Sequence, residues 1–124
     1  MRDLARVFDE DSADFKPYAL HDGTPAGEVA LIRQRNTDNK TLFVGMYRCP
    51  HTIESTETYE YNDSLYVLAG EVWLTTADGV EHHLKPGDMA TVAKGQTATF
   101  RQSAGFKKFF VMSELTADPS RLGG

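Results

Sequence analysis

The sequence predicts an all-β fold, an antiparallel sandwich or barrel. About nine short segments have the composition of strands, and turn signals separate them roughly every ten residues. No long stretch repeats its apolar residues with the period of a helix. With 124 residues, of which 40% are hydrophobic and 25% charged, the chain has the size and composition of a single globular domain.

The strand-like segments follow one another closely from residue 28 onward. A polar hairpin turn at residues 36–40, a turn at Asn62–Ser64 and an Asp-Gly turn at residues 78–79 separate some of them. We therefore divide the chain into an N-terminal arm at 1–27, a barrel at 28–115 and a flexible tail at 116–124. The predicted strands are residues 28–35, 41–47, 52–61, 65–68, 71–76, 80–84, 89–93, 97–102 and 106–112.

Composition limits the partners and the compartment. The net charge of −5 disfavours nucleic acid and anionic membranes, because both are bound by basic surfaces. A single cysteine, Cys49, excludes an internal disulfide and fits a reducing compartment, and no apolar run approaches the length of a membrane helix. We expect a small cytoplasmic protein. We interpret the acidic cluster at residues 9–14 as a solvated loop, the alternative being a cation or partner site.

Glycine and proline spacing suggests a family. Asp63–Val72 reads DSLYVLAGEV; an Asp-Gly turn, the segment Leu84–Asp88 (LKPGD) and Lys94-Gly95 follow, and the last core strand contains Lys107–Val111 (KKFFV). This pattern, over about residues 45–112, resembles the small single-domain cupins of the ethanolamine-utilisation type. The resemblance implies a jelly-roll barrel with an open-mouthed cavity between its sheets, which is the usual position for a ligand.

Metal-binding cupins hold their ion with three histidines and one acid. When Gly70 fixes the motif on this chain, the acid falls at Asp63. The first two histidine places fall on Thr56 and Thr58 with one spacing or on Glu57 and Tyr59 with the other, and the third falls on Ala98. Because no histidine stands at any of these places, we expect neither the family's metal nor another cofactor. Whether histidines elsewhere form an unusual site stays open; they are His21, His51, His82 and His83.

Alternation along residues 53–61 suggests which side chains line the cavity. On a strand, Glu57 shares a face with Ile53, Tyr59 and Tyr61, although a register slip of one residue would turn it to solvent. A carboxylate inside a cavity is a candidate general acid or base. The candidate catalytic residues are Glu57, Asp63 and Tyr59. The candidate ligand-binding residues are Tyr47, Phe100, Gln102, Lys108 and Phe110.

Three functions fit these expectations. The first is a metal-independent acid–base enzyme of isomerase, lyase or cyclase type that acts on a small polar substrate. The second is a non-catalytic module that senses a ligand or serves as an accessory subunit. The third is a structural module whose cavity is filled by side chains. We also expect a homodimer, with Glu28–Arg35 or the segment before it at the interface, because such pairing covers open sheet edges.

Overall fold

The computed structural model describes residues 5–37 and 40–115 of the protein. This part of the chain contains ten strands and no helix, and therefore no helix long and apolar enough to cross a membrane. The strands are β1 (Lys16–Ala19), β2 (Pro25–Thr37), β3 (Lys40–Cys49), β4 (Ile53–Thr58), β5 (Asn62–Ala69), β6 (Val72–Thr76), β7 (Glu81–Leu84), β8 (Met89–Val92), β9 (Thr97–Gln102) and β10 (Phe106–Leu115).

The strands form two antiparallel sheets, which confirms the predicted all-β cupin-type fold. One sheet has six strands in the order β1-β2-β3-β10-β5-β8, and the other has four in the order β4-β9-β6-β7. Their apolar faces enclose a core in which Cys49, Val67 and Phe106 are the largest fully buried side chains. Because each strand alternates its side chains between the two faces, every second residue points into the space between the sheets.

Two turns that the sequence predicts are present in the structure, the β2–β3 hairpin and the turn at Gly70. The β2–β3 hairpin closes with Thr37 opposite Lys40, as the polar stretch at 36–40 predicts. Gly70 has a φ of 71°, and a Cβ built on it would lie 2.8 Å from the Cα of Phe106. A side chain at this turn would therefore be strained and would collide with the backbone of β10.

Two predictions about local structure were wrong. β1 was not predicted: this exposed Lys-Pro-Tyr-Ala segment of the predicted N-terminal arm is a strand because it pairs with β2. Asn62–Ser64 was predicted as a turn but belongs to β5, where Asp63 pairs with Val92 and Met112. Sheet pairing on both sides overrides the turn preference of these polar residues. The predicted tail lies outside the described residues.

The segment before β1 is attached to the outer face of the six-stranded sheet. Arg48 donates hydrogen bonds to Glu28 at 2.7 Å and to Glu10 at 2.8 Å, and its guanidinium lies 3.6 Å from the ring centroid of Phe15. Lys107 forms a second ion pair with Glu10 at 2.8 Å. The interpretation of the acidic cluster as a solvated loop is therefore wrong for Glu10, because this residue is bound to Arg48 and Lys107.

Candidate functional site

The inner face of β4 contains Glu57. Along β4 the outward Glu54, Thr56 and Thr58 are exposed, whereas the alternate residues are wholly or partly buried. The side chain of Glu57 is 17% exposed and lies on the same face as Ile53. The slipped register is therefore wrong, and the spacing that places the family's histidines on Glu57 and Tyr59 is the one that points inward.

Both carboxylate oxygens of Glu57 have partners. Ser55 donates a hydrogen bond to one oxygen at 3.1 Å, and Nε2 of His21 lies 3.1 Å from the other. His21 is in the turn between β1 and β2, and its side chain is 72% exposed. This contact joins the edge strand of the four-stranded sheet to the edge of the six-stranded sheet.

Asp63 is a buried carboxylate with an unpartnered oxygen. The residue is 5% exposed, and among the described residues nothing forms a hydrogen bond with its Oδ1. Its Oδ2 lies 3.8 Å from Nζ of Lys108, a distance that allows an electrostatic attraction but no short hydrogen bond. Burying an acceptor without a partner is costly, so such an oxygen indicates a place for a donor from outside the chain.

Lys108 brings a positive charge into the space between the sheets. It lies on β10 opposite Tyr47, and its side chain is 22% exposed. Its Nζ is 5.6 Å from the ring centroid of Tyr47 and 6.0 Å from that of Phe110. Both distances are in the range of cation–π attraction, so the two rings help to hold the ammonium near Asp63.

A buried amide and a half-exposed phenol adjoin the same space. Gln102 is buried, and its Nε2 donates a hydrogen bond of 2.9 Å to the hydroxyl of Tyr47. Tyr18 on β1 packs edge to face against Tyr47, with ring centroids 6.0 Å apart. We use the name interior polar site for this set of polar side chains together with Tyr59, whose phenol is influenced by the charges of Asp63 and Glu57. Its members are Tyr18, Tyr47, Glu57, Tyr59, Asp63, Gln102 and Lys108.

The three phenols of the interior polar site remain protonated at neutral pH. Burial is the largest cause that raises the pKa of Tyr59, and the negative charges of Asp63 and Glu57 add to it. Burial likewise raises the pKa of Tyr47, against the hydrogen bond from Gln102. Burial, followed by the charges of Glu57 and Asp63, raises the pKa of Tyr18. Each phenol can donate a hydrogen bond but is a poor proton acceptor.

The remaining candidates, Phe100 and Phe110, are packing residues in this structure. Phe110 is 4% exposed and belongs to the main core cluster. Phe100 is partly buried and packs against both that cluster and a smaller one formed by Leu74, Val92 and Ala98. That these two rings also contact a ligand stays a prediction.

An open cavity adjoins the interior polar site but is not centred on it. It has a volume of about 260 Å³ and lies where β7 and β8, end strands of different sheets, leave a gap. Leu74, Val92 and Ala98 line it, and Tyr59 packs against these three residues. His82, Gln96 and several threonines supply the polar part of its lining. Tyr59 therefore contacts residues that line the cavity without lining it itself.

The inward side chains do not fit the metal site of the family. The three histidine places are Glu57, Tyr59 and Ala98, and the acid place, Asp63, has the Lys108 ammonium beside it. Within residues 5–37 and 40–115, no three histidine, cysteine or acidic side chains are grouped so that they could hold a metal ion. A carboxylate pair beside a lysine, with no imidazole at any of the three histidine places, is a poor donor set for a transition metal.

The histidines elsewhere do not converge on the interior polar site. His83 pairs with Glu71 at 3.0 Å and stacks on Trp73, with ring centroids 4.6 Å apart. His82 lies beside the open cavity, and Nδ1 of His51 is 3.3 Å from the carbonyl oxygen of Thr52. Of the four, only His21 touches a residue of the interior polar site.

Comparison with known protein families agrees with the two-sheet fold. Residues 50–110 match the model of the EutQ-like cupin domain. The chain contains a cupin domain of this family. A comparison with curated protein sequences found no match.

Solved structures share the cupin's fold. A protein of unknown function from Rhizobium leguminosarum bv. viciae 3841 is 23% identical, with a TM-score of 0.66 over 87% of this chain and 95% of that one. A predicted oxalate decarboxylase from Thermotoga maritima is 13% identical, with a TM-score of 0.62 over 88% and 99%. An RmlC-like cupin from Shewanella frigidimarina NCIMB 400 is 13% identical, with a TM-score of 0.58 over 92% and 93%. Identities this low establish the fold alone.

Tyr18 was not among the predicted site residues, and His21 was named only as one of four histidines whose role stayed open. Both lie in or just after β1, whose burial pattern is exposed throughout and whose sequence shows no alternation. Their place at the site follows from the pairing of β1 with β2. The residues 17–29 carry no local signal of that contact with β4, so only the tertiary structure reveals it.

Proposed function

We propose that this cupin binds a small polar molecule in the interior polar site and carries out acid–base chemistry on it without a metal ion. The reaction type we propose is that of an isomerase, lyase or cyclase. The observation that carries the proposal is the buried Oδ1 of Asp63, which has no partner among the described residues. A ligand that donates a hydrogen bond to this oxygen would remove the cost of burying it.

The surrounding groups suit a polar ligand. The phenols of Tyr18 and Tyr59 are kept neutral and can donate hydrogen bonds. Lys108 offers ammonium hydrogens on the other side of Asp63. We therefore assign Asp63 the role of proton acceptor and Tyr59 that of proton donor. The opposite assignment is disfavoured because a phenol with a raised pKa holds its proton at neutral pH.

A second candidate is a non-catalytic module that only binds its ligand. The contacts of Glu57 favour it, because both of its oxygens are already engaged by Ser55 and His21. Glu57 then serves to hold β4 and the β1–β2 turn together and takes no proton from the ligand. Asp63 is left as the only carboxylate of the interior polar site with an unpartnered oxygen, which is sufficient for binding.

The test compares Asp63→Asn with Glu54→Gln, an exposed acid on the outer face of β4. Saturation-transfer NMR with a fixed library of small amides, hydroxy acids, amines and polyols identifies ligands of the wild-type protein. Loss of a charge-assisted hydrogen bond weakens their binding by about tenfold or more in Asp63→Asn and leaves it unchanged in Glu54→Gln. Equal binding by both variants would contradict the proposal.

The same samples separate the two candidates. When each ligand is followed by NMR over a day with catalytic amounts of protein, the enzyme hypothesis predicts conversion that Asp63→Asn abolishes and Tyr59→Phe slows. The binding-module hypothesis predicts saturable binding with no conversion of any ligand. Saturable binding that Asp63→Asn weakens, with no turnover, would reject the catalytic assignment and retain the binding site.

We also propose a homodimer that forms through β2. Within the described residues, β1 covers only the first part of the outer edge of β2, opposite Pro25, Glu28 and Val29. Beyond it, Leu31 is 46% exposed on the same strand. A second copy that added its own strand there would cover this edge. The proposed location is the cytoplasm, where the free and buried thiol of Cys49 would stay reduced.

A further inference from the structure

We propose that the ammonium group of Lys108 is a built-in cation at the place where related cupins hold a metal ion, and that it both keeps metal ions out and binds an oxygen of the ligand. The first part concerns the protein alone. The second part rests on the proposed binding function. Both parts are based on one observation: Nζ of Lys108 lies 3.8 Å from Oδ2 of Asp63, the residue at the acid place of the metal motif.

Lys108 reaches Asp63 from some distance along the sheet. Lys108 is paired with Val67 on β5, whereas Asp63 is paired with Met112 on β10, so the two residues are several rungs apart. The lysine side chain therefore runs along the inner face of the sheet, and its Nζ comes within 6.0 Å of the ring centroid of Phe110. Burial of the stem between aromatic rings and the attraction of the cation to them fix the charge in this position.

A fixed ammonium at this point opposes metal binding. A divalent ion that used Asp63 as a ligand would lie within a few ångströms of Nζ, inside a space of low dielectric where like charges repel strongly. It would also compete with Lys108 for the same carboxylate. The missing histidines and the nearby lysine therefore both oppose metal binding. Introducing imidazoles alone should not give tight binding of a metal ion.

The same geometry specifies the chemistry of the ligand. Among the described residues Lys108 has the ion pair and two ring contacts but no hydrogen bond from Nζ, so its N–H groups can bind an acceptor oxygen. The free Oδ1 of Asp63 requires a donor nearby. Two carboxylates against one interior ammonium disfavour an anion. The ligand class is a neutral molecule with a carbonyl or hydroxyl oxygen next to an N–H or O–H group.

Metal affinity tests the exclusion directly. Glu57→His, Tyr59→His and Ala98→His together place imidazoles at the three inward positions, and the cavity beside Ala98 provides space for one of them. Zinc titration calorimetry and the visible spectrum of bound cobalt compare this triple variant with the same variant carrying Lys108→Met. We expect at least tenfold tighter zinc binding and a tetrahedral cobalt spectrum after Lys108→Met only. The control is Lys107→Met, which removes the neighbouring outward lysine paired with Glu10.

Equal zinc affinity with and without Lys108 would overturn the inference, as would tight, stoichiometric zinc binding by the wild-type protein. If the triple variant does not fold, a double-mutant cycle tests the inference by measuring the coupling between Lys108 and Asp63. Urea unfolding of Lys108→Met, Asp63→Asn and the double variant should show that the double variant loses less stability than the sum of the single losses. The cycle of Lys107→Met with Asp63→Asn should be additive. Additivity in both cycles would also overturn the inference, and neither experiment depends on finding a ligand.

Discussion

Tyr59 connects the chemistry of the site to the stability of the fold. Its ring packs against Leu74, Val92 and Ala98, while its hydroxyl group is exposed to the negative charges of Asp63 and Glu57. Both the burial and these charges favour the neutral phenol. A residue that must remain protonated to stay buried makes the folded state sensitive to alkali, because the unfolded chain releases the proton more readily.

The stability of the cupin should therefore fall above about pH 10, the ordinary pKa of tyrosine. The folded-state pKa of Tyr59 is raised, so its contribution is fully present below pH 10 and is lost as the pH rises further. Well above pH 10 each such tyrosine adds up to about 1.4 kcal/mol per pH unit to the slope. Urea unfolding at about pH 9 and pH 11 should show a loss of stability between the two that is about 1.4 kcal/mol smaller in Tyr59→Phe.

Phe106→Leu is the control for this measurement. Phe106 is a fully buried aromatic residue without a hydroxyl group, so its replacement lowers the free energy of unfolding at every pH and leaves the slope unchanged. An unchanged slope in Tyr59→Phe would show that the phenol ionises in the folded state as it does in the unfolded chain.

At the scale of elements, the segment before β1 acts as a cover for the six-stranded sheet. Ala30 and Met46 alternate with the inward residues Val29 and Tyr47, so they face outward, yet they are only 2% and 9% exposed. The attachment of Glu10 to Arg48 and Lys107 places the segment on this face. Hydrogen bonds from Lys107 and Arg48 lower the pKa of Glu10, which keeps the carboxylate charged.

Glu10→Gln should loosen this cover. The variant loses two charge-assisted contacts at once, and the packing of the segment on the outer face weakens with them. Hydrogen exchange followed by mass spectrometry should show several-fold faster exchange in peptides that span residues 5–15 and 43–48. Asp14→Asn serves as the control, because this acid of the same cluster is 82% exposed and its ion pair within the described residues is with the exposed Lys16. Similar exchange in the two variants would count against the cover.

The elements that could be predicted are those whose signals are local. β9 begins and ends at the predicted residues 97 and 102, since polar turns bound it on both sides. Alternation favoured an inward Glu57, with a slip of one residue as the alternative, and the resemblance to the cupin motif placed the acid at Asp63, which is buried. β1 could not be predicted, because an exposed four-residue strand is held by its partner β2 and not by its own sequence. For the same reason the places of Tyr18 and His21 beside the interior polar site could not be predicted.

At the scale of the whole molecule, the two sides of the sandwich differ. On one side the contact between His21 and Glu57 joins the sheets near β1 and β4. On the other side β7 and β8 leave the cavity of about 260 Å³ open. The two ends of the sandwich therefore differ in how they are closed, and the part of the β2 edge beyond β1 is where the proposed second copy would add to the larger sheet.

The proposed dimer can be tested by a charge on that edge. Leu31→Asp places a carboxylate on the exposed part of β2, where two copies would bring like charges together in an antiparallel pair. Light scattering should give twice the 13.8 kDa chain mass for the wild-type protein and the single chain mass for Leu31→Asp. Val80→Asp is the matched control, because Val80 is also 46% exposed but lies in the β6–β7 turn, away from β2. A monomeric wild-type protein, or a dimer that survives Leu31→Asp, would reject an interface at this edge.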